Sequence, residues 1–334
     1  MGDKKGMGIQ FNWIFVIISG AIILAFFALF VFKYIDLQVA KEDVQISRLL
    51  SDTVLALEGA SSGGGFVIPA YSDGAFKIGV YANVNYTCEG EEVSFTINDE
   101  PLSKQTLLDE VVFAPDRMYV NAVNTWIYPW DYPYFNSNFI YLSPKEKRFF
   151  IYYDSSTEEY VQELALVDDF IVQEAFNVEL IRSDDAIEGE DVKLVWFGAK
   201  PSNQKIKDWN KEFKNFDIIQ VNPVTNKVAF YENGWKEESY WGDALLFGAV
   251  FSDSYEIYSC GYERSLKRLN SVTRVINGRV DLISRDETSE GCSTAYSSLQ
   301  NVLTDFGNNP NEELMNEVIR GNDNLVGKGC HFAF

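Results

Sequence analysis

The chain has one histidine, His331, and that restricts the chemistry open to it. No Ser-His-Asp or Cys-His pair can form away from the last few residues, and no metal site can use two imidazoles. Cys330 is adjacent. A Cys-His pair can ligate a soft metal, but nothing nearby in sequence would complete the set, so the pair reads as incidental. The other cysteines are Cys88, Cys260 and Cys292, and the closest spacing among the four is 292 − 260 = 32 residues. No C-x-x-C knuckle exists, and zinc is not expected. Two disulfides in an oxidising compartment suit this spacing, with all three connectivities open.

Acidic residues number 49 and basic residues 28, a net charge of −21. Nucleic acid is thereby excluded as a main partner, since few cations are left to neutralise phosphates. Acids cluster at Asp168-Asp169, Asp184-Asp185 and Glu188-Gly189-Glu190-Asp191. A histidine-free hydrolase would need two carboxyls ~5–9 Å apart across a cleft, and an acidic chain offers many pairs. Calcium could use oxygen clusters of this kind, but residues 184–191 lack the spacing of an EF-hand loop and read as solvated charge. A dinucleotide site requires G-x-G-x-x-G after a first strand. Here the equivalent turns read Asp154-Ser155-Ser156 and Gly198-Ala199-Lys200-Pro201-Ser202, and no Walker sequence is present. No cofactor and no metal are expected.

Residues 117–153 are dense in aromatics. Buried strands account for most of the stretch, and Trp126, Tyr128 and Trp130 are the candidates for exposed contacts with a partner. Asn85-Tyr86-Thr87 is a glycosylation sequon.

These groups need elements to position them, and the first element is the clearest. Residues 13–32 carry no charge, and twenty helical residues rise ~30 Å, the thickness of a bilayer core. Trp13 and Tyr34 mark its ends. The run is longer than the apolar part of a signal peptide and no A-x-A site follows it, so residues 13–34 are read as a retained transmembrane helix after a tail at 1–12. The acidic body, the even cysteine count and the sequon place the bulk of the chain outside the cytoplasm.

Lys4-Lys5-Gly6 directly before this helix resembles archaeal type IV pilin-like precursors, and Gly6 would be their processing site. The run Gly8-Ile9-Gln10-Phe11-Asn12-Trp13 is similar to the start of uncharacterised single-span archaeal membrane proteins. The first resemblance implies a surface filament subunit. The second implies a location without an activity.

Ile35, Val39, Ile46, Leu49, Leu50, Val54 and Leu57 recur at helical spacing, so residues 35–60 continue the membrane helix as a stalk. Such a stalk either pairs with a copy of itself or packs on its own domain. Ser61-Ser62-Gly63-Gly64-Gly65 reads as a flexible break. Alternating apolar residues from Phe76 to Cys88, a turn at Glu89-Gly90-Glu91 and Val93, Phe95 and Ile97 predict a hairpin, with Cys88 on its buried face and Asn85 on its exposed one. Residues 66–147 form this β-rich aromatic part.

From 148 to 240, strands at 149–153, 178–181, 192–197, 216–221 and 228–231 alternate with helices. One helix is expected from a capping box at Ser156 to about Phe176, and one carries Ile206, Trp209 and Phe213. Residues 241–334 are mainly helical, as a hairpin whose first helix is interrupted at Asn277-Gly278. The expected architecture is an α/β or α+β ectodomain with a mostly parallel sheet on a transmembrane helix. The expected function is that of a membrane-anchored binding or structural protein, with a pilin-like subunit and a histidine-free ectoenzyme as alternatives. Lipid around 13–34 and self-association through the stalk are the partners this implies.

Overall fold

The computed structural model describes residues 5–60, 66–68, 76–90, 92–108, 110–182, 187–286 and 289–334. The expected break at 61–65, Asp184-Asp185 and Glu91 lie outside the described residues. Helix α1 runs unbroken over Lys5–Ala60. Trp13, Phe15, Leu24, Phe27 and Phe32 are exposed on it. An all-round apolar helix surface belongs in a core or in lipid, and here no core covers it. Among the described residues this is the one helix long and apolar enough to cross a membrane. Beyond it, Asp43, Ser47, Leu50, Ser51 and Val54 are buried at helical spacing. The expected stalk is thus continuous with this apolar segment and, from Asp43 onward, is fixed to its own body. There Asp43 accepts a hydrogen bond from the Asn98 amide at 2.8 Å.

The first sheet contains β1 (Phe66–Ile68), β2 (Phe76–Glu89), β3 (Glu92–Ile97), β4 (Gln105–Leu107), β5 (Val111–Phe113), β6 (Arg117–Trp130) and β7 (Ser137–Pro144). Its order is β4-β3-β2-β6-β7-β5, with β1 also on β6. Every pairing is antiparallel except β5 with β7.

The second sheet begins with β8 (Arg148–Tyr152). Helices α2 (Glu158–Glu163), α3 (Ala165–Asp168) and α4 (Phe170–Ala175) then lead to β9 (Val178–Ile181). Next come β10 (Asp191–Phe197), α5 (Asn203–Glu212), β11 (Asn215–Asn222), β12 (Lys227–Tyr231) and β13 (Trp235–Ser239). The order is β13-β12-β11-β10-β8-β9. Strands β9, β8, β10 and β11 are parallel, while β12 and β13 return antiparallel. The fold is therefore α+β with mixed sheets, and the expectation of a mostly parallel sheet is corrected. The links at 223–226 and 232–234 are too short for a parallel crossover, which needs about a dozen residues.

Four helices follow: α6 (Gly242–Phe251), α7 (Tyr255–Asp286), α8 (Glu290–Asn308) and α9 (Glu312–Gly327). Residues Ala244 to Phe251 of α6 are all buried, because α6 lies between the layers. One face of the first sheet, through Trp126, Phe139 and Tyr141, shares a core with α6, α7 and the face of the second sheet that carries Val195, Phe197 and Ile219. The opposite face of the first sheet packs on Leu50 and Val54 of α1. The opposite face of the second sheet packs on Ile206 and Phe213, in and just after α5. The layers thus run α1, first sheet, α6 and α7, second sheet, α5.

Several local expectations change. Helix α7 passes through Asn277-Gly278 without a break, and three long helices replace the hairpin. The helix expected to reach Phe176 is three short ones, because Leu164 and Asp169 adopt extended backbone and the Asp169 carboxylate caps α4. Ser156 makes no capping box. Its backbone N–H and hydroxyl both donate to Asp154, and Thr157 is the N-cap.

Candidate functional site

Parallel strands all begin at one edge of their sheet. The register sets Asp191 of β10 level with Asn215 of β11, and Lys193 level with Asp217. Side chains alternate across a strand, so Asp191, Lys193, Val195 and Phe197 share one face, as do Asp217, Ile219 and Val221 on β11. That face is apolar toward the carboxyl ends of the strands and charged at their amino ends.

Lys147, from the turn before β8, completes the charged edge. Its Nζ donates to Asp253 Oδ1 at 2.7 Å and to Asp217 Oδ2 at 3.0 Å, and lies 3.8 Å from Asp191 Oδ1. Lys147 is buried, while its three aspartates are partly open. Asp253 comes from the link between α6 and α7, so this one ammonium ties three segments together. Lys193 is also buried. It donates to the Ser252 carbonyl at 2.6 Å and stands 5.5 Å from the centroid of the Phe230 ring.

Burial alone would drive the Lys147 ammonium toward neutrality, but Asp253, Asp217 and Asp191 together hold it above its ordinary value. For Lys193, which bonds a carbonyl and no carboxylate, burial and the repulsion of Lys147 outweigh the pull of Asp217, Asp253 and Glu232 and lower it. Burial, countered by Lys147 and aided by repulsion from Asp217, pushes Asp253 up to about 6. Asp217 goes the other way: burial would raise it, but Lys147 and Lys193 outweigh that and lower it. Burial raises Asp191 as well. Two carboxyls with opposite shifts are a pattern used in acid–base catalysis. Here, however, both are bound by the same buried lysine, which makes the group a strut between segments.

Above the strut lies a cleft of about 1050 Å³ between the two sheets. Its far wall carries Glu146, Glu190, Glu232 and Glu256 beside the aspartates. Lys214 pairs with Glu190, and Lys236 bridges Glu232 and Glu256. The near wall is the first sheet, where Tyr81 of β2 and Tyr119 of β6 stack with ring centroids 5.3 Å apart at 24°. Both are exposed. A bulge between Lys77 and Ala82, with Gly79 at φ 83°, breaks the alternation of β2. That leaves Val80 exposed, although strict period two would bury it.

The aromatics picked out for partner contact lie elsewhere. Trp126 and Trp130 are 1% exposed, which corrects their expected role. Trp126 packs against Phe247, and Trp130 Nε1 donates to the Trp241 carbonyl at 3.0 Å. Tyr128 is half-buried against Trp126. They face α6, whose apolar surface required an aromatic layer opposite it. Asn85 is 8% exposed, not on an open face, and its amide donates to Asp99 Oδ1 at 2.9 Å. Gly6 falls within α1. The cysteines form Cys88–Cys260, joining β2 to α7, and Cys292–Cys330, joining α8 to the segment after α9. Tyr296 donates to the backbone carbonyl of His331 at 2.6 Å. Among the described residues no cluster of His, Cys, Asp and Glu is arranged to hold a metal.

Of the charged edge, only Asp191 is singled out in the sequence, within an acidic cluster that reads as solvated charge, whereas here it faces Lys147. Lys147, Lys193, Asp217 and Asp253 are missed, although a signal is present. Asp191-Val192-Lys193 and Asn215-Phe216-Asp217 set polar residues at alternate positions where apolar strands begin. Polar residues on an otherwise buried face must find partners. Comparisons of the chain with protein-family models, curated proteins and solved structures find no match.

Proposed function

We propose that this is a single-span membrane protein whose folded body lies outside the cytoplasm and serves as a binding or structural module. The observation that carries this reading is the two-part character of α1, apolar and bare first, then built into the core of the body from Asp43. A rigid connection of this kind holds the body at a fixed distance from the membrane. The two disulfides fit an oxidising compartment. Binding is favoured over catalysis because the deepest acids of the cleft are engaged by Lys147.

The test uses intact cells and their membranes. The protein should stay in the membrane fraction after alkaline extraction, and an impermeant amine reagent should label lysines beyond residue 40 in unbroken cells. Release by alkali would remove the anchor. Labelling only after lysis would reverse the sidedness.

The same helix favours a second reading, a pilin-like subunit held by its apolar half before assembly and packed by it afterwards. Residues 7–11 hold no Glu, which such precursors carry near the cut. Intact mass of the native protein decides: loss of residues 1–6 supports this reading, and their retention ends it.

A further inference from the structure

We propose that the cleft between the two sheets is a docking groove for an extended, lysine- or arginine-bearing segment of a partner protein. Its lining includes eight acids against Arg117, Lys147 and Lys214, so 3 − 8 leaves a charge of −5. Within that excess, Asp116 on the near wall and Glu146 on the far wall have no ion-pair partner among the described residues. These two are the carboxylates open to an incoming cation.

The near wall adds a second and different attraction. Ring faces attract cations when the two approach within about 6 Å. The protein satisfies several of its own rings in this way: Lys205 covers Trp196 and Trp209, Lys200 covers Trp235, and Lys236 covers Tyr255. Tyr81 and Tyr119 are stacked, exposed and without such a cation among the described residues. A cationic side chain over this pair would sit across the groove from Glu146. Asn83 and Asn215, also in the lining, offer amides to a peptide backbone. The bulge at Gly79 accompanies this exposure of Tyr81 and Val80. The proposal rests on the membrane-anchored reading only for the side from which a partner approaches. Binding by the purified chain is independent of it.

The experiment uses the full chain in nanodiscs of zwitterionic lipid at near-physiological salt. Fluorescent octapeptides of alternating Lys-Gly, Ser-Gly and Glu-Gly are titrated by anisotropy, with a neutral oligosaccharide as competitor. The Lys-Gly peptide should bind, the other two should not, and the oligosaccharide should not compete. Tyr81→Ala/Tyr119→Ala keeps the charge yet should weaken binding about tenfold, and Asp116→Asn/Glu146→Gln should do the same. Glu159→Gln/Glu163→Gln on α2 removes equal charge away from the groove and should leave binding unchanged. The proposal is overturned if the tyrosine variant binds like the parent, if the α2 variant loses as much as the groove variants, or if the neutral ligands bind as well. Unchanged thermal midpoints in all three variants establish that folding is not what was altered.

Discussion

Gly248 of α6 lies against the ring of Phe113 on β5 so closely that a Cβ there would stand 2.7 Å from Cζ. Gly261 of α7 closes on the same ring. Phe113 is fully buried and is also packed by Phe139, Tyr141 and Tyr258. Two helices thus use glycine to approach one aromatic ring, and the ring has nowhere to move. Gly248→Ala should therefore lose about 2 kcal/mol to overpacking, even after alanine's better helix propensity. Adding Phe113→Leu should recover part of that loss, giving a double variant less damaged than the sum of the two. Chemical denaturation of the three variants checks this. Strict additivity would show that the glycine and the ring do not compete for space.

The Lys147 strut predicts an asymmetry. Lys147→Met removes one cation and strands Asp191, Asp217 and Asp253 together in a largely buried site. Breaking a buried pair from one side costs about 3–5 kcal/mol, because the remaining charge has no counterpart. Adding Asp217→Asn and Asp253→Asn to Lys147→Met removes two of the three stranded charges and leaves only Asp191, which keeps partial access to water. Thermal midpoints should fall sharply in the single variant and recover most of that loss in the triple. A single variant as stable as the parent would mean that the lysine ties nothing together.

Asp253 supplies a pH dependence whose sign can be worked out. Its folded value, about 6, is above the ordinary 3.8 because burial penalises its charge more than Lys147 relieves it. The folded protein then binds a proton that the unfolded chain releases, so this group's contribution to stability grows as pH falls from about 6 toward about 4. Asp217, lowered by Lys147 and Lys193, opposes it only at still lower pH, where its own contribution is lost. Asp253→Asn keeps an acceptor for Lys147 and abolishes the titration. The midpoint difference between parent and variant should change across pH 4–7, narrowing or reversing toward the acid end in the parent's favour. A constant difference would place Asp253 at its ordinary value.

How much of this was legible in the sequence depends on whether a residue's role is set by its neighbours in the chain. Period two and period 3.6 located most strands, α1 and α7, because those patterns are local. The fate of Trp126 and Trp130 was not local. Their burial is set by α6, more than a hundred residues on, which needed an aromatic layer opposite it. Asn85 is covered where Asp99, in the turn after β3, takes its amide. The strut draws Lys147, Asp191, Asp217 and Asp253 from four separate segments, and only the parallel register brings them level. In the strict alternation of 76–88, Gly79 falls with Lys77 and Tyr81 on the face opposite the apolar residues, and nothing local marks it as special. Its positive φ made it a bulge and turned Val80 outward.

The two disulfides should contribute unequally. Cys88–Cys260 closes a separation of 172 residues and Cys292–Cys330 one of 38. If a cross-link acts mainly by restricting the unfolded chain, the longer loop stabilises by about 5 kcal/mol and the shorter by about 4. Position adds to the difference. Cys88–Cys260 holds the first sheet to α7, so losing it frees the layer on which α1 packs. Cys292–Cys330 secures only the segment after α9 against α8. Paired Cys→Ala variants, unfolded in denaturant under non-reducing conditions, should show the larger loss for the first pair. Hydrogen exchange should then rise across β2 and β3 in the first variant and only near residues 328–334 in the second. Equal losses with exchange confined to the chain end in both would mean that β2 is held to α7 by packing alone.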